Sequence, residues 1–198
     1  MKTGKNVAKK RLNFLRVIIL IGSVPLLTAI LILTIFTANK MEQELEDSTY
    51  SRLRACAISV EKYFEWDIRE NILEKDDVSY EFIDSLQKDE IELTFFEGDT
   101  RYITSVKDKS GNRVEGTKAA ENIWKTIQSG KDYQADNVDI SGTKYYVYYT
   151  PVSSDDGKVI GMAFAGEKEE VVNRAKSGLI LSFVVIALVL AVFYLVVL

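Results

Sequence analysis

Two uninterrupted apolar runs bracket a polar segment about the size of one domain. The runs occupy residues 17–36 and 179–198, and neither contains a charged residue. An α-helix rises about 1.5 Å per residue, so roughly 20 residues cross the hydrocarbon core of a bilayer. Inside that core every backbone polar group must be paired within its own segment. The pattern predicts membrane-spanning helices over residues 17–37 and 177–198, with an external domain over residues 38–176 between them.

The external segment opens with a helical pattern over residues 41–71. Apolar or small side chains recur there at three- and four-residue spacing, which is the period of one helix face. They are Leu45, Thr49, Leu53, Cys56, Val60, Tyr63 and Phe64. No glycine or proline occurs between Pro25 and Gly98. Because those residues are the usual helix breakers, we expect one long helix to continue out of the first span and to couple the domain to the membrane.

The rest of the segment alternates between strand and helix patterns. A second helix is predicted over residues 79–88, and a third over residues 119–128 with Thr117 as its cap and Gly130 as its stop. A helix over residues 167–176 leads into the second span. Five runs rich in β-branched and aromatic residues predict strands, separated by turn residues. These runs cover residues 91–96, 100–107, 133–140, 143–152 and 159–167. The expected fold class is α+β.

Charge sets the expected orientation and excludes one class of partner. Residues 1–16 contain six cations and no acid, which predicts a cytoplasmic N-terminal tail. The remaining 19 of the 25 Lys and Arg residues lie between the spans with all 29 acids, a formal charge of −10. A segment of that charge without a basic cluster does not bind a polyanion, so we expect no nucleic acid partner.

The cysteine and histidine content limits the disulfide, metal-binding and catalytic chemistry available to the chain. Cys56 is the only cysteine and histidine is absent, so no intrachain disulfide forms and the common zinc sites and histidine-based mechanisms are missing. We therefore expect no enzyme activity, no metal and no cofactor. Cys56 is predicted to be a small buried hydrophobe. The alternatives are a redox role or a position facing its twin across a dimer axis.

The order of elements between two spans resembles the single Cache domain, the PAS-like extracytoplasmic sensor of bacterial chemoreceptors and sensor kinases. The residues that carry the resemblance are 93–101 with 103–106, 111–113, 114–119, 145–149 with Pro151, and 156–162. The resemblance implies a five-stranded antiparallel sheet with the long helix on one face and a small-molecule pocket on the other. It also implies a homodimer associated through the long helices.

Residues on two strands are candidates for ligand contact. Alternation along a strand places Arg101, Ile103 and Ser105 on one face of the second strand. On the fourth strand it places Tyr146 and Tyr148 together with Lys144, and Tyr145, Val147 and Tyr149 on the opposite face. Arg101 is the first candidate because a guanidinium matches a carboxylate with two parallel donors. The alternative is a surface arginine paired with Asp99 or Glu97.

A helix start and the tyrosines add further candidates. Thr117 and Lys118 are expected to open a helix whose free N–H groups suit an anion, although a plain cap and a solvated lysine are the alternative. Tyr146 and Tyr148 could line a pocket or simply fill the sheet. The predicted ligand-binding residues are Arg101, Ser105, Thr117, Lys118, Tyr146 and Tyr148.

The expected function is small-molecule sensing and transmembrane signal input in a two-pass protein of the plasma membrane. The resemblance favours a methyl-accepting chemotaxis receptor that binds a small carboxylate or amino acid. A histidine kinase, a diguanylate cyclase and a non-signalling membrane-anchored binding or scaffold protein are the alternatives. The sequence stops inside the second span. For a receptor we therefore expect a cytoplasmic output region beyond residue 198.

Overall fold

The computed structural model describes the backbone of residues 2–70 and 75–197, and the side chains of residues 14, 21–65, 67 and 75–192. The predicted helix end at Asn71 and the end of the second span at Leu198 lie outside this part. The helices are α1 (Lys2–Glu70), α2 (Asp77–Asp84), α3 (Glu121–Gln128) and α4 (Glu169–Val197), with a 3-10 turn at Gln87–Asp89. The strands are β1 (Ile91–Glu97), β2 (Thr100–Thr104), β3 (Tyr133–Ile140), β4 (Thr143–Ser153) and β5 (Val159–Lys168).

One compact unit consists of α1 up to Glu44 and α4 from Lys176 onward. Its two helix segments contact each other, and Lys176 Nζ lies 3.7 Å from a carboxylate oxygen of Glu42. Most of the large apolar side chains that the structure describes in these segments are exposed. An apolar surface of this extent is characteristic of contact with lipid or with another protein. Both helices are long and apolar enough to cross a membrane, so two candidate membrane helices flank the second unit in sequence, as in a two-pass membrane protein.

The second unit, Leu45–Ala175, is built on a five-stranded antiparallel sheet with strand order β2-β1-β5-β4-β3. The β1–β2, β3–β4 and β4–β5 pairs are consecutive hairpins, and β5 joins the two halves by pairing with β1. The turn between β1 and β2 needs a left-handed residue, which Gly98 supplies at φ 57°. The α+β fold and the antiparallel sheet are confirmed.

The long helix covers one face of this sheet. Leu53, Ala57, Val60 and Phe64 of α1 are fully buried, and the Phe64 ring lies 4.7 Å from the Phe95 ring of β1. Each buried Leu, Val or Phe side chain contributes about 1.5–3 kcal/mol. The predicted apolar stripe is therefore the contact surface of the helix. Cys56 is half-buried beside it, and burial raises the pKa of its thiol.

The opposite face is covered by α3 and the loops around it. Ile123 and Ile127 of α3 pack into a second apolar cluster with sheet residues that include Phe96, Tyr149 and Phe164. The Tyr149 and Phe164 rings lie 4.9 Å apart. The sheet therefore has a buried core on both faces, and α3 is the element opposite the long helix.

Several predicted boundaries differ from the structure. The second strand ends at Thr104, and the second helix is Asp77–Asp84, capped by Asp76 Oδ1, which accepts from the N–H of Ser79 at 2.7 Å. The prediction of Thr117 as the cap of the third helix is wrong, because α3 begins at Glu121 after Ala120. Residues 116–118 extend the edge of β2 instead. The N–H of Arg101 donates to the Thr117 carbonyl at 2.9 Å, so a helix cannot begin there.

Candidate functional site

A β-bulge decides which way Arg101 faces. In the β1–β2 ladder Ile103 pairs with Phe95 and Arg101 pairs with Phe96, so Tyr102 is an extra residue. An extra residue breaks the alternation of side chains along a strand. Ile103 therefore packs in the cluster under α1, whereas the Arg101 guanidinium lies over the Phe96 ring at 5.1 Å, on the α3 face. The predicted shared face of Arg101, Ile103 and Ser105 is wrong for this reason.

Arg101 is a buried cation, with 6% of its surface exposed. Its Nη1 donates to Thr117 Oγ1 at 2.8 Å and to the Lys118 carbonyl at 3.3 Å, while its Nε is buried without a hydrogen-bond partner. It is not the surface arginine of the alternative interpretation, because the Asp99 carboxylate pairs with Lys118 Nζ at 2.9 Å. Within the described part of the chain, Arg101 forms no ion pair.

Burial dominates the electrostatics around Arg101. It lowers the pKa of the guanidinium, an effect that the neighbouring Tyr149 phenol opposes. Burial also raises the pKa of Tyr149 to about 12, so this hydroxyl remains protonated at neutral pH. A charge taken out of water without a counter-charge is costly, and an anion would relieve that cost. Arg101 is therefore a desolvated cation without an ion-pair partner among the described residues.

Arg101 borders a cleft of about 150 Å³ between β2, β3 and the start of α3, which we call the Arg101 cleft. Its lining includes Arg101, Thr117, Lys118, Ala120, Ile123, Asp139 and Tyr149. The start of a helix carries free N–H groups and a partial positive charge, which favour an anion. A cleft of this volume has room for several water-sized groups.

The structure brings together three of the six predicted ligand-binding residues, namely Arg101, Thr117 and Lys118. Ser105 lies elsewhere, because its Oγ accepts from the N–H of Leu93 at 2.8 Å and donates to Glu92 Oε2 at 2.5 Å.

The two predicted tyrosines also lie outside the cleft. Tyr146 and Tyr148 pack in the cluster under α1, on the other side of the sheet. The Tyr148 hydroxyl donates to Asp132 Oδ2 at 2.5 Å. The β4 tyrosine that lines the cleft is Tyr149, on the α3 face, and Ile123 of α3 is a further lining residue. Alternation along β4 separates these two sets but does not indicate which of them faces the cleft.

Comparison with known proteins places this architecture in a family. The description of single Cache domain 3 matches residues 74–178. No curated protein matches the chain. Among solved structures, the sensor domain of E. coli DcuS superposes with a TM-score of 0.47 at 18% identity, covering 66% of this chain and 96% of that one.

Two further structures are similar over a smaller share of their own length. The sensor domain of the V. cholerae histidine kinase DctB gives a TM-score of 0.41 at 11% identity, over 70% of this chain and 60% of that one. The ligand-binding domain of the Pseudomonas aeruginosa PAO1 amino acid chemoreceptor PctC, in complex with GABA, gives a TM-score of 0.43 at 14% identity. The match covers 72% of this chain and 61% of that one. The match over residues 74–178, more than half of the sequence, shows that the chain belongs to the single Cache domain 3 family of ligand-binding sensor modules.

Proposed function

We propose that the chain senses a small carboxylate or amino acid, which binds in the Arg101 cleft. The observation that carries the proposal is a buried guanidinium whose Nε has no protein partner, at a cleft that also has a helix start in its lining. A carboxylate would accept from the guanidinium with two oxygens and from the protonated Tyr149 hydroxyl. Thr117 orients the guanidinium by accepting from Nη1, and Lys118, whose side chain is largely exposed, lines the cleft.

We further propose a two-pass protein of the plasma membrane with a cytoplasmic N-terminus and an extracytoplasmic sensor domain over residues 38–176. Six cations precede the first apolar run, and positively charged flanks stay on the cytoplasmic side. We propose that the sensor is a binding module and not an enzyme. It acts through a ligand that binds two conformations with different affinities, and it does so as a homodimer through the long helix.

The output that we favour is that of a methyl-accepting chemotaxis receptor. A histidine kinase or a diguanylate cyclase would use the same input. An output domain would distinguish the three, since a HAMP linker followed by long methyl-accepting helices belongs to the first.

The ligand proposal is tested on the full chain in dodecyl maltoside micelles. Its thermal unfolding is recorded with organic acids, amino acids, amines and purines, each at a concentration far above the expected Kd. A ligand at 100 times its Kd adds about 2.7 kcal/mol to the free energy of unfolding. Arg101→Lys keeps the positive charge but removes the fork of donors, so we expect it to abolish the shift. Arg174→Lys, at an exposed position on α4, is the matched control.

The expected result is a carboxylate ligand whose shift is lost in Arg101→Lys and retained in Arg174→Lys. A folded protein that responds to none of the compounds would overturn the proposal in favour of the scaffold alternative. A ligand that binds Arg101→Lys as tightly as the unmodified chain would place the site outside the Arg101 cleft.

A further inference from the structure

A second cavity of about 380 Å³, which we call the lysine cavity, lies at one end of the sheet. Lys107, Lys109 and Lys168 border it together with Tyr145. It shares no lining residue with the Arg101 cleft. At roughly 30 Å³ per water-sized group, it has room for an anion with part of its hydration shell.

The fold assembles this cavity from distant parts of the sequence. Lys168 ends β5 and pairs with Tyr145 of β4 in the strand register. Lys107 is fixed by a β-bridge to Arg113. The Lys109 side chain crosses the β3–β4 turn, where a Cβ at Gly142 would lie 3.1 Å from its Cε. The absence of a side chain at Gly142 therefore gives the lysine stem room to lie against the turn.

The acids of the cavity are already engaged within the protein. Glu92 accepts from Ser105 Oγ at 2.5 Å, and Asp108 accepts from the N–H groups of Ser110 and Asn112 at 2.8 and 2.9 Å. Those backbone hydrogen bonds lower the pKa of Asp108, which is the signature of a turn-stabilising carboxylate. Both carboxylates are held by the local fold, but these neutral donors do not cancel their charge, so three basic and two acidic side chains give the lining a formal charge of +1.

The cations, by contrast, are available. The ion pairs formed within the described part of the chain involve other lysines, among them Lys75 and Lys118. Tyr145 also lines the cavity, and burial raises its pKa to about 12, so its hydroxyl stays protonated at neutral pH. Three lysines and a tyrosine therefore line a space large enough for a ligand.

We propose that the lysine cavity binds a phosphate-type anion, carried either by free phosphate or by the headgroup of an anionic phospholipid. Three lysines around one space match a phosphate group with several oxygens, because each ammonium acts as a point charge with freely rotating donors. A single carboxylate calls for one planar fork of donors, which is what Arg101 provides. The lysine cavity thus differs in chemistry as well as in position from the Arg101 cleft.

The first measurement is calorimetric titration of inorganic phosphate into the full chain in dodecyl maltoside, which contains no phosphate. Ionic strength is held constant with chloride, so that general screening does not change. The variant replaces the three lysines of the cavity by glutamine, Lys107→Gln, Lys109→Gln and Lys168→Gln. A charge-matched control replaces three exposed lysines elsewhere in the same unit, Lys125→Gln, Lys131→Gln and Lys158→Gln.

A second measurement separates the two sources of phosphate. Hydrogen exchange of residues 105–113 is compared in nanodiscs of phosphatidylcholine with and without phosphatidylglycerol. We expect phosphate binding to weaken at least tenfold in the cavity variant and less than twofold in the control. We also expect Arg101→Met to bind phosphate like the unmodified chain, so this result is independent of the carboxylate proposal.

The two measurements distinguish a soluble phosphate ligand from a lipid headgroup. Phosphate binding that depends on the three lysines supports a soluble ligand. Protection of residues 105–113 only with phosphatidylglycerol, and only with the lysines present, supports a lipid headgroup. The proposal is overturned if neither probe has an effect, or if the cavity variant and the control lose binding equally.

Discussion

Replacing each of two arginines by methionine should change stability in opposite directions. Arg101 is buried in the sensor unit without a carboxylate partner, whereas Arg113 in the same unit forms two hydrogen bonds to Asp84, at 2.9 and 2.6 Å. Methionine retains much of the apolar stem and removes the charge. The two substitutions are therefore chemically identical and differ only in what the guanidinium contacts.

Arg101→Met should stabilise the protein in the absence of ligand. It removes a desolvated charge and the buried Nε, and an unsatisfied buried polar atom costs about 1–3 kcal/mol. The losses are the contacts to Thr117 and Lys118 and the cation–π contact with Phe96, which is worth about 0.5–2 kcal/mol. Thr117 Oγ1 still donates to the Val114 carbonyl at 2.6 Å. Replacement of buried charges by apolar groups is often neutral or favourable, so we expect a net gain of about 1–2 kcal/mol.

Arg113→Met should destabilise the protein by about 2 kcal/mol. The substitution removes the pair with Asp84 and a hydrogen bond to the Thr104 carbonyl at 2.6 Å, and it breaks the stacking over Tyr80 at 4.8 Å. The ion pair itself is partly exposed and contributes less than a buried one. The Thr104 carbonyl, however, is left without this donor, which is the larger cost.

The assay is thermal unfolding of the full chain in dodecyl maltoside, followed by near-ultraviolet circular dichroism. For the unit of about 130 residues that contains both sites, 1 kcal/mol corresponds to roughly 4 °C in Tm. We expect a rise of about 4–8 °C for Arg101→Met and a fall of about 8 °C for Arg113→Met. If both variants lose stability by the same amount, Arg101 is a structural residue and the reasoning for a ligand-binding arginine fails.

Two further predictions concern other parts of the second unit, Leu45–Ala175. Burial raises the pKa of Glu167, and the Arg52 guanidinium partly offsets this rise. A proton therefore binds more tightly to the folded chain than to the unfolded chain. Stability should fall as the pH rises from about 4.3, the ordinary glutamate pKa, through the higher pKa of the folded chain. Denaturant titrations across that range check this, and Glu167→Gln should remove the decrease. Gly161→Ala would place a Cβ 2.1 Å from the Phe96 carbonyl oxygen, so β1 and β5 must separate at a cost of about 2–3 kcal/mol. An unchanged Tm for Gly161→Ala would show that this part of the sheet tolerates the separation.

Element types were predictable because they follow from local periodicity. The spacing of the apolar residues from Leu53 to Phe64 predicts a helix with one buried face, and α1 buries that face against the sheet. The five strands appear where β-branched and aromatic runs end in turn residues, with Gly98 and Gly142 at positive φ. The boundaries were less predictable. Residues 116–118 are an example, since pairing with β2 overrides their tendency to start a helix.

The composition of the cleft was only partly predictable, for two physical reasons. Alternation assumes an unbroken strand, and the bulge at Tyr102 moves Arg101 to the face opposite Ile103. On β4 both faces are aromatic, so the sequence contains no polarity contrast that would assign Tyr146 and Tyr148 to the helix side and Tyr149 to the cleft.

The sequence alone therefore determined the class of the protein, namely two apolar helices around an α+β sensor domain that belongs to the single Cache family. It also singled out Arg101, because a guanidinium on a predicted strand offers a fork of donors that matches a carboxylate. Only the tertiary structure decided that Arg101 is buried beside Tyr149 and the start of α3, and that three lysines distant in sequence surround a second cavity. Periodicity acts between near neighbours in the chain, whereas a binding site depends on strand register, bulges and the packing of distant segments.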